Sequence, residues 1–145
     1  MKTISLRYAE NFAPECGTIQ AHQDMIDKNG FVWYGKMSSP FSNKVISEVL
    51  NNEKPKVLLI RSGGTERYWA YIDTIQKETP PLDEIPEYYR NIAETKFKSW
   101  LRVIRFEKAP KDIMSYCFVV SSGSSLSTAS KHSLNPYAFI EVKEH

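Results

Sequence analysis

The chain has 145 residues, 41% of them hydrophobic and 12% aromatic, enough to enclose one core and too apolar for a disordered segment. Its formal net charge of +2 excludes a strong whole-molecule field, and no apolar run approaches the roughly 20 residues that span a bilayer. The opening Met1-Lys2-Thr3-Ile4-Ser5-Leu6-Arg7 lacks the apolar stretch of a secretory signal, so a single domain over residues 1–145, in the cytoplasm, is expected.

In chain order, Ile4 to Tyr8 alternates as a short strand, and Pro14 and Gly17 break the chain before Thr18, a good helix N-cap. Ile19, His22, Met25, Ile26 and Asn29 follow at helical spacing, and Gly30 stands where a C-cap glycine belongs. Phe31 to Met37 is rich in β-branched and aromatic residues and predicts a strand. Ser42 caps a second helix that carries Val45, Ile46, Val49 and Leu50 as its apolar stripe. After Pro55, Lys56 to Ile60 reads as a buried strand, Arg61-Ser62-Gly63-Gly64 as its exit turn, and Arg67 to Ile75 as the partner in a hairpin. Pro80, Pro81 and Pro86 punctuate an acidic connector with a helical turn at Glu87 to Ile92. Phe97 to Phe106 is a long strand, Lys111 to Tyr116 a helical turn, Phe118 to Val120 a short strand, and Tyr137 to Val142 the closing strand.

Strands outnumber helices without βαβ alternation or internal repeat, which predicts an α+β fold: a curved, mostly antiparallel sheet or small barrel flanked by two or more helices. The low-complexity stretch Ser121 to Ser130 reads as a flexible surface loop. A functional alternative is that its hydroxyls and backbone N–H groups settle on phosphates, beside Lys131 and His132.

Signatures of catalysis are missing. Gly63-Gly64-Thr65 has neither the spacing nor the lysine of a phosphate loop. His22, His132 and His145 are too scattered for a helical metal pair, and Gly123-Ser124-Ser125-Leu126-Ser127 carries serine where a nucleophile elbow needs its second glycine. Cys16 and Cys117 stand in no metal-ligand or redox spacing and read as free thiols. His22 falls on the apolar face of its helix and reads as a satisfied, partly buried histidine.

Charge and aromatics are distributed more tellingly. Asp73, Glu78, Asp83, Glu84 and Glu87 face only Lys77, whereas Lys96, Lys98, Arg102, Arg105, Lys108 and Lys111 face only Glu107. By strand parity Phe97, Leu101 and Val103 look inward, and Lys96, Lys98, Trp100, Arg102 and Lys108 look outward with Ile104 and Phe106. Cations interleaved with a ring suit phosphate contacts plus base stacking; the alternative is a solvated face whose Trp100 packs under a helix. Trp33-Tyr34 and Trp69-Ala70-Tyr71 lie in strands that carry aromatics on both faces, so at least one ring per strand should be core and the remaining rings free to wall a pocket. Polar groups that could read an extruded base cluster at strand ends: Lys36, Ser38 and Ser39 after one strand, Arg61 and Ser62 after another.

The succession Phe31-Val32-Trp33-Tyr34-Gly35-Lys36-Met37-Ser38-Ser39, a short helix, Lys56-Val57-Leu58-Leu59-Ile60-Arg61-Ser62, then Tyr68-Trp69-Ala70-Tyr71-Ile72-Asp73-Thr74-Ile75 resembles the core of the PUA-like superfamily. The likeness is to its EVE and YTH branches, and within them to the EVE-like N-terminal domains of McrB-type modification-dependent restriction systems. Ala70 stands where those domains often have glycine. The resemblance implies a non-catalytic DNA-binding specificity module, the N-terminal part of a larger protein, that flips a methylated base into an aromatic cage. It implies double-stranded DNA as partner, a fused or associated GTPase and nuclease to do the cleavage, and neither cofactor nor metal. The base pocket would draw on Trp33, Tyr34, Lys36, Ser38, Ser39, Arg61, Ser62, Trp69 and Tyr71; Lys98, Trp100, Arg102, Lys108, Ser122, Ser124 and Lys131 would hold the nucleic-acid backbone. Two alternatives keep the fold and change the task. One is an RNA reader; the other is a small amidohydrolase of the ASCH type, for which Lys36, Thr65 or Thr74, and Asp73 or Glu66 are nominees.

Overall fold

A computed structural model of the chain describes residues 1–8, 13–37, 39–62, 65–90, 96–132 and 137–143, without the side chains of 130–132. Strand β1 (Lys2–Tyr8) leads to helix α1 (Thr18–Asn29), which ends where Gly30, at φ 86°, takes the left-handed turn and returns its N–H to the Ile26 carbonyl. Thr18 is the first helical residue rather than the cap, and Gly17 precedes it. Strand β2 (Val32–Met37) and helix α2 (Asn43–Leu50) follow; the Ser42 hydroxyl accepts the Val45 N–H, as the sequence predicts. Strands β3 (Lys56–Arg61) and β4 (Arg67–Gln76) form the hairpin. Two 3-10 turns, Leu82–Glu84 and Glu87–Tyr89, occupy the Pro-rich connector. Strand β5 (Phe97–Lys108), a third 3-10 turn, strand β6 (Cys117–Val119), helix α3 (Leu126–His132) and strand β7 (Tyr137–Val142) complete the fold. No helix among the described residues is long and apolar enough to cross a membrane.

The strands form one sheet in the order β2-β5-β4-β3-β1-β7-β6, antiparallel except for β1 beside β3. This is the expected α+β fold, with three helices among the described residues. Between β2 and β7 lie five inter-strand steps, which in a flat sheet would separate them by roughly 24 Å. The Lys36 amine on β2 nevertheless lies 4.8 Å from the centre of the Tyr137 ring on β7. The sheet is therefore rolled until its two margins meet. Ile4, Leu6, Tyr34, Val57, Leu59, Leu101 and Val103 fill the inside, with Phe41 and the apolar stripes of α1 and α2 packed among them.

The outside of the sheet is buried as well. Leu58, Ile60, Trp69 and Ile140 pack under the 113–116 turn and Leu126 of α3. Trp33, Phe97 and Trp100 pack under Ile85 and Tyr89 of the connector. The Ser-rich stretch is thus only partly loop: the Ser125 hydroxyl accepts the Thr128 N–H, and Leu126 anchors the helix in the core. Phe106, assigned outward by parity, turns inward against the first cluster. The cause is a bulge. Tyr71 pairs with Arg105 and Ile72 with Val103, so Ile104 is skipped and every later side chain of β5 changes face.

Gly35 marks a close approach. A Cβ there would lie 2.6 Å from the Phe97 ring, which is itself held 4.4 Å from the centre of Tyr89 and 5.0 Å from that of Trp100. Gly35→Ala should lower stability by about 1–3 kcal/mol through overpacking. A urea midpoint equal to that of the unaltered chain would show instead that the ring can move aside.

Candidate functional site

The rings expected to form one cage are distributed over three clusters. Trp33 is buried, and its indole N–H donates to Glu84 Oε1 at 3.0 Å. Tyr34 is buried on the opposite face of the same strand, with His22 5.1 Å away. Trp69 is 3% exposed, beneath the amine of Lys56 at 4.3 Å. Of the four, only Tyr71 is half-buried. Its ring lies between Lys56 and Arg105, and its hydroxyl, 3.4 Å from Glu107, is pushed up by desolvation and by that carboxylate. Among the described residues these rings share no single slot: Trp33, Tyr34 and Trp69 are buried, and Tyr71 opens on a separate cavity of about 330 Å³ with Asn52, Lys54 and Lys56.

The polar strand ends are engaged as well. Three successive antiparallel pairings separate β2 from β3, so the two run in opposite directions. The roll of the sheet nevertheless brings the Lys36 amine to Tyr137, which pairs with Leu6, itself paired with Leu59 two residues before Arg61. Arg61 is ion-paired to Glu66 at 3.0 Å, and the Ser62 N–H donates to the Tyr8 carbonyl. Ser38 lies outside the described residues.

What does assemble is a groove of about 590 Å³ where the margins of the sheet meet, within the range of ordinary ligand sites. Its walls are Lys36 of β2, Ser39, Lys44 and Val45 at the start of α2, Val119, Val120 and Ser121 at the end of β6, and Tyr137, Ala138 and Phe139 of β7. Lys36 is 6% exposed. Its ammonium donates to the carbonyls of Met37 (3.1 Å) and Ser39 (2.5 Å) and rests against the faces of Phe41 (4.9 Å) and Tyr137 (4.8 Å). Burial pushes this amine below its ordinary value. Tyr137 stands edge-on to Phe41 at 5.4 Å. Lys36 and Ser39 are the strand-end residues that sequence reasoning singled out; Tyr137, Phe139 and Lys44 were missed. The signal was faint: Tyr137 and Phe139 lie on one face of a strand that reads only as the last of the sheet.

The basic strand is less open than its composition suggests. Trp100 is fully buried under the connector. Arg102 is ion-paired to Asp73 and stacked on Phe31 at 4.0 Å. Arg105 lies 3.6 Å from Glu107. Lys98 and Lys108 are exposed, as are Ser122 and Ser124; the Ser124 N–H donates to the Ser122 hydroxyl. The Lys131 side chain lies outside the described residues. Of the amidohydrolase nominees, Thr74 donates to Asp73 at 3.0 Å, and Asp73 is also ion-paired to Arg102, Glu66 to Arg61, while Lys36 is engaged by main-chain carbonyls. Among the described residues no three His, Cys, Asp or Glu side chains gather as a metal site. Both cysteines are free; Cys16 is exposed, and burial pushes the Cys117 thiol up to about 11.

No curated protein matches this chain, nor does any solved structure. One family model does match, described as Pua-like, over residues 4–141. That span takes in all seven strands nearly whole, together with the groove and both of its walls. The chain belongs to the Pua-like family.

Proposed function

We propose that this chain is a DNA-binding specificity module that takes one unstacked, modified base into the groove between β2 and β7. The observation that carries the reading is the meeting of a half-buried aromatic ring, Tyr137, with the buried ammonium of Lys36 inside a cavity of about 590 Å³. A base leaving its stack needs a flat apolar surface in exchange and polar groups for its edge. Tyr137 and Phe139 supply the first, Lys36, Ser39 and Ser121 the second. Membership of the Pua-like family supports a binding rather than a catalytic role. Lys44 beside the groove, and Ser122 and Ser124 beyond it, are exposed and suited to flanking phosphates.

Methylated cytosine or adenine in double-stranded DNA is the first ligand to test, after the resemblance to restriction-system modules. In such a system a fused or associated GTPase and nuclease would cleave. Tyr137→Ala should weaken binding to a methylated duplex by about 1–3 kcal/mol, the contribution of one stacked base. The Tyr137 ring is half-buried against the core, so the variant should also lose stability, by less than a fully buried aromatic would, and remain folded. Unaltered affinity in a folded Tyr137→Ala protein would refute the groove as base site. Adding a matched RNA competitor tells a DNA reader from an RNA reader, since only the latter exploits the ribose hydroxyl.

A further inference from the structure

The groove has an electrostatic asymmetry. Two of its side chains, Lys36 and Lys44, are cationic, and no carboxylate is among its described walls. None of the ion pairs among the described residues involves either lysine. Among the described residues the positive charge of Lys36 is met by neutral dipoles: two carbonyl oxygens and the faces of two rings. An ammonium has three N–H donors, and two acceptors are recorded for this one among the described residues.

We infer that the groove selects its base by charge, admitting a neutral or anionic modified edge that can accept a hydrogen bond and rejecting a modified base that carries a positive charge. This rests on the base-reader reading above. The physical ground is the depth of Lys36. A surface lysine would swing away from a second cation and leave the charges to water. Lys36 is tied on both sides, in a partly desolvated place where Coulomb interactions are several times stronger than in water. A ring methylated on nitrogen so that it becomes cationic would meet that charge at close range and bring no acceptor to it. A carboxyl group on the same ring would be drawn toward it. Lys44, exposed at the groove's rim, adds a weaker contribution of the same sign.

The test compares three oligonucleotides that differ at one cytosine: 5-methylcytosine, neutral; 3-methylcytosine, cationic; and 5-carboxylcytosine, anionic. In each duplex the cytosine stands opposite an abasic site, so that the loss of pairing caused by 3-methylation does not enter. The expected order of affinity is 5-carboxyl, then 5-methyl, then 3-methyl, with the cationic base weaker than the neutral one by on the order of tenfold to a hundredfold. Equal affinity for all three, or tightest binding of the 3-methyl strand, overturns the inference while leaving the base reader intact. Failure of all three to bind overturns the base reader itself. Lys36→Gln, which keeps an N–H donor for the two carbonyls, should compress the order; a folded Lys36→Gln protein with the full preference also overturns it. Lys44→Gln, at an exposed position, gives a second reading without disturbing the core and should reduce the preference by a smaller factor.

Discussion

Trp100→Ala is expected to cost about 3–5 kcal/mol of fold stability, the range for truncating a large buried aromatic. Trp100 has no exposed surface. Phe97 lies 5.0 Å and Tyr89 6.0 Å from its ring centre, and Ile85 of the connector closes over the same cluster. The rings of this cluster come from β2, β5 and the connector, so a cavity there loosens all three at once. A domain of this size has a total stability of about 5–15 kcal/mol, and a loss so large should be plain in a urea titration. Trp100→Phe should cost much less, since the indole N–H has no partner among the described residues and its removal leaves no acceptor unpaired. If Trp100→Ala unfolds at the same urea concentration as the unaltered chain, the cluster is not the structural element described. The contrast with Tyr137→Ala matters: Trp100 should act on folding, Tyr137 chiefly on binding.

A loss of stability on acidification, traceable to one histidine, is the second large effect. His22 is fully buried, with Nδ1 bonded to the Thr18 carbonyl and Nε2 without a partner among the described residues. The rings of Tyr34, Tyr88, Tyr89 and Phe106 surround it. Desolvation, opposed by the bond to Thr18, lowers it from 6.5 to about 4. Between these values the unfolded chain takes up a proton at His22 that the folded chain refuses. Stability therefore falls as pH drops from about 6.5 to about 4, by roughly 3 kcal/mol in total, and this group contributes no further change below that. Carboxylates titrate in the same range, so the measurement is a difference: urea midpoints at pH 7 and pH 4 for the unaltered chain and for His22→Leu. The variant should lose less stability by about the stated amount. Parallel losses in the two proteins would show that His22 is protonated in the fold.

Local structure was legible because its causes are local. Ser42 as a cap, Gly30 as a helix end, and the β-branched run after Phe31 each act within a few residues, and the elements form where those signals lie. The fold class followed from the same signals in succession. Errors began where a distant element decides which face of a strand is covered. Parity reasoning assumes one buried face and one wet face. Here Leu58 and Leu59, adjacent on β3, are both fully buried, one outside the sheet and one inside. Trp33 and Tyr34 repeat the pattern on β2, so neither ring of that pair is free, whereas on β4 Trp69 is buried and Tyr71 only half-buried.

By itself the sequence determined the elements other than α3, the α+β class, the family resemblance and the chemistry of one strand end, Lys36 and Ser39. Each depends on neighbours a few positions away or on the order of segments. Tertiary structure alone decided which residues stand opposite that strand end. Tyr137 and Phe139 reach Lys36 only because seven strands roll until β2 and β7 meet. That closure is the summed twist and bulging of every strand between them, a quantity that no window of residues carries.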